Sequence, residues 1–336
     1  MKPIIIFLIS LLFFVCLIQL RFRYDTVPSV SFPFKNLFDD KGNKLNVILI
    51  AAPFREIKDE QLYEYYKDRG LSFCGISSYL DFPNPIVNPY EDRFHVARGH
   101  NYTEMVQGWL NCFRKPEYIE AISHLPNILL TEADLKDVKN FEVSSFKKEY
   151  DFLYCCLPDD DICSPGWQSY NRNWDLAKKC LEIMCSVFKL RGAMVGRQNC
   201  DFTEQCNGIV KVFPALSYDK FQEELKKSRV LFVPNVSDAS PRVMTEAMCY
   251  NIPVLVNESI LGGWHNVVPG ITGEFFNDER DISFALKKIL TTQYHPRKWY
   301  MGNRGKEISG KKLADFLVKT YPNINNKDMK YATITV

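Results

Sequence analysis

The sequence predicts an α/β fold of two parallel-sheet units, the N-terminal one reduced, and three observations predict it. From Tyr150 onward, apolar strands alternate with amphipathic helices in the rhythm of a parallel sheet covered on both faces. The 336 residues give room for two modest domains, each near the common size of about 150. A hydrophobic share of 46% beside 24% charged residues is that of an ordinary globular protein, which excludes disorder and a multi-span membrane protein. With 42 basic and 40 acidic residues the net charge is only +2, so no global field attracts nucleic acid and none is expected as a partner.

The chain opens on residues 3–20, apolar except for Ser10 and Gln19 and about 27 Å long as a helix, close to the thickness of a bilayer's hydrocarbon core. Leu20, Arg21 and Phe22 offer no small-residue cleavage site, so residues 1–23 read as an uncleaved single-pass anchor of an endomembrane protein, Golgi or ER. Lys2 before the stretch and Arg21, Arg23 and Asp25 after it balance too closely to fix its orientation. Residues 24–44 mix Pro, Ser, Asp, Gly and Lys without periodicity and read as a stem. Folding is expected from Leu45, with buried strands at 46–53 and 128–134. Between them, 82–90 is broken by prolines and 108–119 looks partly helical. Residues 45–147 read as a reduced first domain without a glycine-rich first loop.

Residues 148–322 read as a complete Rossmann-like unit. Strands are expected at 151–157, 192–196, 209–213, 230–234 and 253–257. Trp174, Ala177, Leu181, Met184 and Phe188 recur at spacings of three and four and mark one helix face; Phe221 and Leu225 mark another. Helices near 282–291, with Asp281 as N-cap, and 304–320 follow, and 323–336 is a tail. Eleven cysteines are an odd number, none in a zinc-like spacing, and most read as small core residues, including Cys180 and Cys185 on a helix. A disulfide among Cys163, Cys200 and Cys206 stays open.

Residues 230–256 carry the chemistry as a strand, a polar loop, a helix and a strand. Ser240 is a favoured N-cap and Pro241 suits the first helical position, so the free N–H groups of Arg242 and Val243 would face a pyrophosphate. Tyr250 and Asn251 end the helix, Asn251 in the left-handed position, with Pro253 beyond it. Asp238 and Glu246 stand eight residues apart. Here the chain resembles the retaining glycosyltransferases of the GT-B fold, especially glycosyltransferase family 4, over about residues 151–321, including the loop at Gly262, Gly263 and Trp264 and residues 270–276.

The resemblance implies a GT-B-like fold, a nucleotide-sugar donor, no cofactor and no metal, and a glycan, lipid or protein acceptor. It assigns Glu246, followed by Ala247 and Met248, to the donor's ribose hydroxyls, since a carboxylate can accept from two neighbours at once. Asp238, where the family has Glu, lies beside the donor sugar as a catalytic residue. Arg172 takes the place of a catalytic Lys that stabilises the leaving diphosphate. Ser240, Arg242, Val243, Gly262 and Gly263 join Glu246 as donor-binding residues. The family's upstream Arg has no counterpart, because residues 156–168 contain no basic residue.

Other readings stay open. Arg242 and Glu246 could be a helix ion pair, Asp238 a loop cap, Arg172 a solvated residue, and Gly262 with Gly263 a plain turn. Asp for Glu at 238 and the missing Arg allow a catalytically silent nucleotide-sugar or glycan-binding relative. Asp159 to Asp161 fit the DxD pattern of metal-dependent GT-A enzymes, with Asp159 and Asp161 as ligands. His95, His100 and His124 are candidates for a sugar contact. Residues 287–330 hold eleven basic and three acidic residues, a solvated or membrane-proximal face. Sequons begin at Asn101, Asn235 and Asn257. The last two adjoin the donor loop and are expected to be unmodified, which leans towards a cytosol-facing catalytic part.

Overall fold

The computed structural model describes residues 27–84, 99–143 and 147–334. The anchor at 1–23 lies outside them, as do His95 and most of the proline-rich 82–90. Among the described residues no helix is long and apolar enough to cross a membrane.

The first sheet contains β1 (Phe34–Asp39), β2 (Lys44–Ile50), β3 (Ser72–Ile76), β4 (Trp109–Asn111) and β5 (Asn127–Leu129), with the last strand, β12 (Ala332–Ile334), at its edge. Its order is β12-β1-β2-β3-β4-β5, parallel from β2 to β5 and antiparallel at β1 and β12. Two expectations are corrected here. The stem ends before Phe34, since β1 is part of the sheet; a register shift between Asn36 and Phe38 breaks the alternation that would have revealed it. The tail is no tail, because Ile334 pairs with Leu37 and Ala332 with Asp39.

Helix α1 (Ile57–Asp68) covers one face of this sheet, its Tyr63 and Tyr66 packing with Phe34, Ile48, Ile50 and Phe73. A short α2 (Pro116–Glu120) follows β4. The opposite face is covered by the last helix, α9 (Gly305–Thr320), whose Leu313, Ala314, Phe316 and Leu317 meet Leu37, Val47, Leu49 and Cys74. Trp109 is fully buried and lies so close to Gly75 that a Cβ there would be 2.1 Å from its ring. The strand expected at 128–134 stops at Leu129, because Thr131 and Asp134 form a capping box that starts a 3-10 turn, Glu132–Leu135.

The second sheet is parallel throughout, in the order β11-β10-β9-β6-β7-β8. Its strands are β6 (Tyr150–Cys155), β7 (Gly192–Val195), β8 (Val210–Phe213), β9 (Ser228–Val233), β10 (Val254–Asn257) and β11 (Gly273–Phe276). Its helices are α3 (Trp167–Asn171), α4 (Trp174–Ser186), α5 (Tyr218–Lys226), α6 (Arg242–Cys249), α7 (Ile282–Thr291) and α8 (Pro296–Asn303). Trp174, Ala177, Leu181 and Met184 form the buried face of α4, while Phe188 lies past its end. Asp281 stands at the N-cap of α7 but caps no helical N–H; its carboxylate accepts from the Asn277 and Asp278 amides in the preceding turn. Disulfides join Cys163 to Cys200 and Cys185 to Cys206, so Cys185 is bonded rather than a free core thiol.

Candidate functional site

A cleft of about 460 Å³ opens between the two domains, where the carboxyl ends of strands from both sheets converge. Lys35, Ser78, Tyr79 and Glu132 line it on the first-domain side. Trp167, Arg172, Asp238, Ser240, Arg242 and Val243 line it on the other. Arg172 sits at the junction of α3 and α4, where Asn173 adopts a left-handed φ of 51° and turns the chain so that the guanidinium enters the cleft. Its Nη1 lies 2.6 Å from Asp238 Oδ2 and also donates to Asn171 Oδ1. Burial opposes the charge on Arg172, but the Asp238 carboxylate outweighs it and holds the guanidinium pKa above its ordinary value. Asp238 also accepts from Asn235 Nδ2 at 3.0 Å and from the Ser240 amide at 3.2 Å, so it both fixes the loop and faces the cleft.

Helix α6 begins one residue later than expected. Pro241, with ψ 80°, is the N-cap and no side chain caps the helix. Ser240 Oγ instead accepts from the Ala133 amide across the domain boundary at 3.2 Å. The first-turn N–H groups of Arg242 and Val243 therefore keep no intrahelical acceptor. The Arg242 side chain is exposed, and among the described residues no partner engages it. The helix ends as expected, with Asn251 at φ 61°.

Glu246 does not line the cleft. It is buried, with Oε1 2.6 Å from Lys136 Nζ and Oε2 accepting from Gln222 Nε2 at 2.9 Å, so the ion pair to Arg242 does not form. Gly262 and Gly263 are not on the cleft wall either. They pack beneath the loop that precedes α6: a Cβ on Gly262 would be 1.8 Å from the Ala239 carbonyl, and one on Gly263, at φ 73°, would be 2.5 Å from Pro241 and 2.6 Å from Met244. The Asp159 carboxylate accepts from the Gln168 and Ser169 amides and meets Arg197 Nη2 at 3.3 Å, while Asp160 accepts from the Ile162 and Ser164 amides. Both acids are engaged by these donors. Asp161 is exposed, and no group of three metal-ligating side chains occurs among the described residues. His100 lies 3.3 Å from Glu60, away from the cleft, and His124 does not line it.

Contacts that sequence reasoning missed shape the domain boundary. Asp134 is buried, with His265 Nε2 at 2.9 Å and Asn266 Nδ2 at 2.8 Å. Burial would raise its pKa, yet His265 and these hydrogen bonds hold the carboxyl at about 2. Trp264 Nε1 donates to the Cys112 carbonyl at 2.9 Å, and Tyr300 Oη donates to that of Ala133 at 2.8 Å. The loop after Gly263 thus joins the domains. Lys35 and Glu132 form an ion pair of 2.7 Å on the cleft wall. Nothing in the sequence pairs them: they are 97 residues apart, one in the supposed stem and one in the supposed strand.

Two Rossmann-like units facing each other across a cleft at their strand ends define the GT-B architecture, and solved structures of that kind match this chain. Sucrose-phosphate synthase from Thermosynechococcus elongatus superposes with a TM-score of 0.59 at 12% identity, covering 82% of this chain and 74% of its own. The apo form of the lipopolysaccharide outer core galactosyltransferase WaaB gives 0.55 at 13%, covering 81% and 75%. HepE of Anabaena, in complex with UDP-glucose, gives 0.52 at 12%, covering 81% and 78%. No protein-family model and no curated protein sequence matches the chain.

Proposed function

We propose that the protein is a glycosyltransferase that moves a sugar from a nucleotide-sugar donor to a glycan, lipid or protein acceptor, with retention and without an essential metal. The observation that carries this reading is the Arg172–Asp238 pair beside the uncapped N-terminus of α6, in a cleft between two GT-B-like domains. The donor diphosphate is met by the N–H groups of Arg242 and Val243 and by the Arg172 guanidinium, charges that are in place before the leaving group develops. Asp238, held from three sides, accepts from a hydroxyl of the donor sugar. Arg242 offers a second cation where the family's upstream Arg is absent. Retention rests on the resemblance to family 4. Commitment of Asp159 to backbone amides and Arg197 argues against the GT-A reading.

A hydrolysis panel of nucleotide sugars, starting with UDP-glucose, tests the proposal; slow release of free sugar that persists in EDTA supports it. Activity abolished by EDTA and restored by manganese would overturn metal independence. The closure of Lys136 and Gln222 over Glu246 favours a second reading, a nucleotide-sugar binder without turnover, and binding without hydrolysis would select it. The anchor at 1–23 and an endomembrane location stay part of the proposal. The two disulfides suit the oxidising, lumenal side, and burial of Asn235 and Asn257 would hide both from glycosylation there.

A further inference from the structure

We propose that Arg197, a buried residue outside the cleft, is a positioning residue for the donor site: it holds the segment that presents Arg172. This rests on the glycosyl-transfer reading of the cleft and adds to it the group that sets its cation. Arg197 follows β7, after Gly196 at φ 111°, and is 0% exposed. It does not line the cleft, so it meets no ligand there. Its guanidinium is engaged by protein partners instead. Nε donates to Cys156 Sγ at 3.2 Å, just past the end of β6, and Nη1 lies 3.8 Å from Cys200 Sγ, which is disulfide-bonded to Cys163. Nη2 donates to Ser169 Oγ at 2.8 Å and meets Asp159 Oδ2 at 3.3 Å. The guanidinium carbon sits 4.9 Å from the centre of the Trp174 ring.

These contacts bracket Arg172. Ser169 stands before it on α3, and Trp174, the first residue of α4, stands after it. Asp159 extends the hold, because its carboxylate accepts from the Gln168 and Ser169 amides and from Ser169 Oγ at the first turn of α3. Gly166 leaves room for that carboxylate, since a Cβ there would be 2.6 Å from Asp159 Cγ. The Arg172 backbone is fixed as well: its amide donates to the Gln168 carbonyl at 3.0 Å, and its carbonyl accepts from Tyr154 Oη at 3.2 Å. Tyr154 in turn stacks on Trp174, with ring planes 2° apart. A buried ion pair adds little net stability over a well-packed apolar replacement. What Arg197 supplies is direction. Its donors lie in one rigid plane and fix the turn between α3 and α4, where Asn173 sends the Arg172 side chain into the cleft. A preorganised charge meets a diphosphate well only where its backbone is held.

The experiment is a double-substitution cycle on the full chain, read by calorimetric titration of UDP, GDP and ADP and by hydrogen exchange of the amides of 167–174. Arg197→Met should weaken the nucleoside diphosphate that binds by about fivefold in the wild-type background. Beside Arg172→Met the same change should weaken it by less than about 1.5-fold, because the loss runs through Arg172. Exchange should rise at 167–174 and stay unchanged in β9 and β10. If Arg197→Met melts below the assay temperature, Asp159→Asn and Ser169→Ala, which break the same link from the other side, should show this pattern. Unchanged affinity in the folded variants, or an equal loss in both backgrounds, would overturn the proposal and leave Arg197 a core residue only. If no nucleoside diphosphate binds the folded wild type, the transferase reading fails by itself and exchange decides: a selective rise at 167–174 keeps Arg197 as the holder of Arg172, and unchanged exchange overturns it.

Discussion

The two sheets carry six strands each, yet they draw on the chain in different ways. The second sheet and the helices that cover it come from one continuous run of sequence, in which helices follow β6, β8, β9 and β11. The first sheet takes α1 from its own stretch, but its other face and its outer edge are completed by α9 and β12 from the far end of the chain. A reduced domain can thus stand as a covered parallel sheet by borrowing, and its stability is bound to the end of a chain that has already built the other domain.

The largest expected effect comes from breaking that borrowed layer. Leu317 and Leu181 are both fully buried, on α9 and α4, and each change to Ala should cost on the order of 3 to 4 kcal/mol. Hydrogen exchange separates them: Leu317→Ala should expose the amides of β1, β2 and β12, whereas Leu181→Ala should expose those of β6 and β7. Identical exchange patterns would contradict the division. Next comes the contact across the domain boundary at Lys136. Replacing it by Met leaves the Glu246 carboxylate buried with Gln222 alone, on the order of 3 kcal/mol in a denaturant titration.

Asp134 gives a pH-dependent version of the same test. Its carboxyl pKa is about 2 in the fold against 3.8 in the free side chain, so its contribution is complete above pH 4 and is lost as pH falls through 2. That contribution is about 2 kcal/mol, and it should vanish from the pH profile of Asp134→Asn. The smallest effect is expected from Ser240→Ala, which removes one neutral hydrogen bond between the domains and should cost about 1 kcal/mol in thermal unfolding.

The same contrast explains what the sequence disclosed. The elements of 148–322 were legible because their periodicity is local: the stripe of Trp174, Ala177, Leu181 and Met184 needs no distant partner to be recognised. In the first domain a register shift hid β1, and the helix covering β2 lies more than two hundred residues downstream. The site divides likewise. Asp238 and the start of α6 were visible because one loop and one helix terminus carry them, while Arg172, 66 residues earlier, was reached through the family resemblance. Glu246 kept its place in the motif, but its burial under Lys136 depends on a residue from the other domain. Lys35, Glu132 and the Asp134–His265 contact also join distant segments, and no spacing rule reaches them.

The central claim is that the cleft takes the diphosphate of a nucleotide sugar on Arg172 and the open end of α6. Calorimetric titration of UDP, GDP and ADP into the wild type and Arg172→Met tests it most directly. At least one nucleoside diphosphate should bind the wild type, and Arg172→Met should weaken it at least tenfold, about 1.4 kcal/mol, with an unchanged melting profile. Affinity unchanged by the substitution, or no binding of any of the three to the folded wild type, would contradict the account.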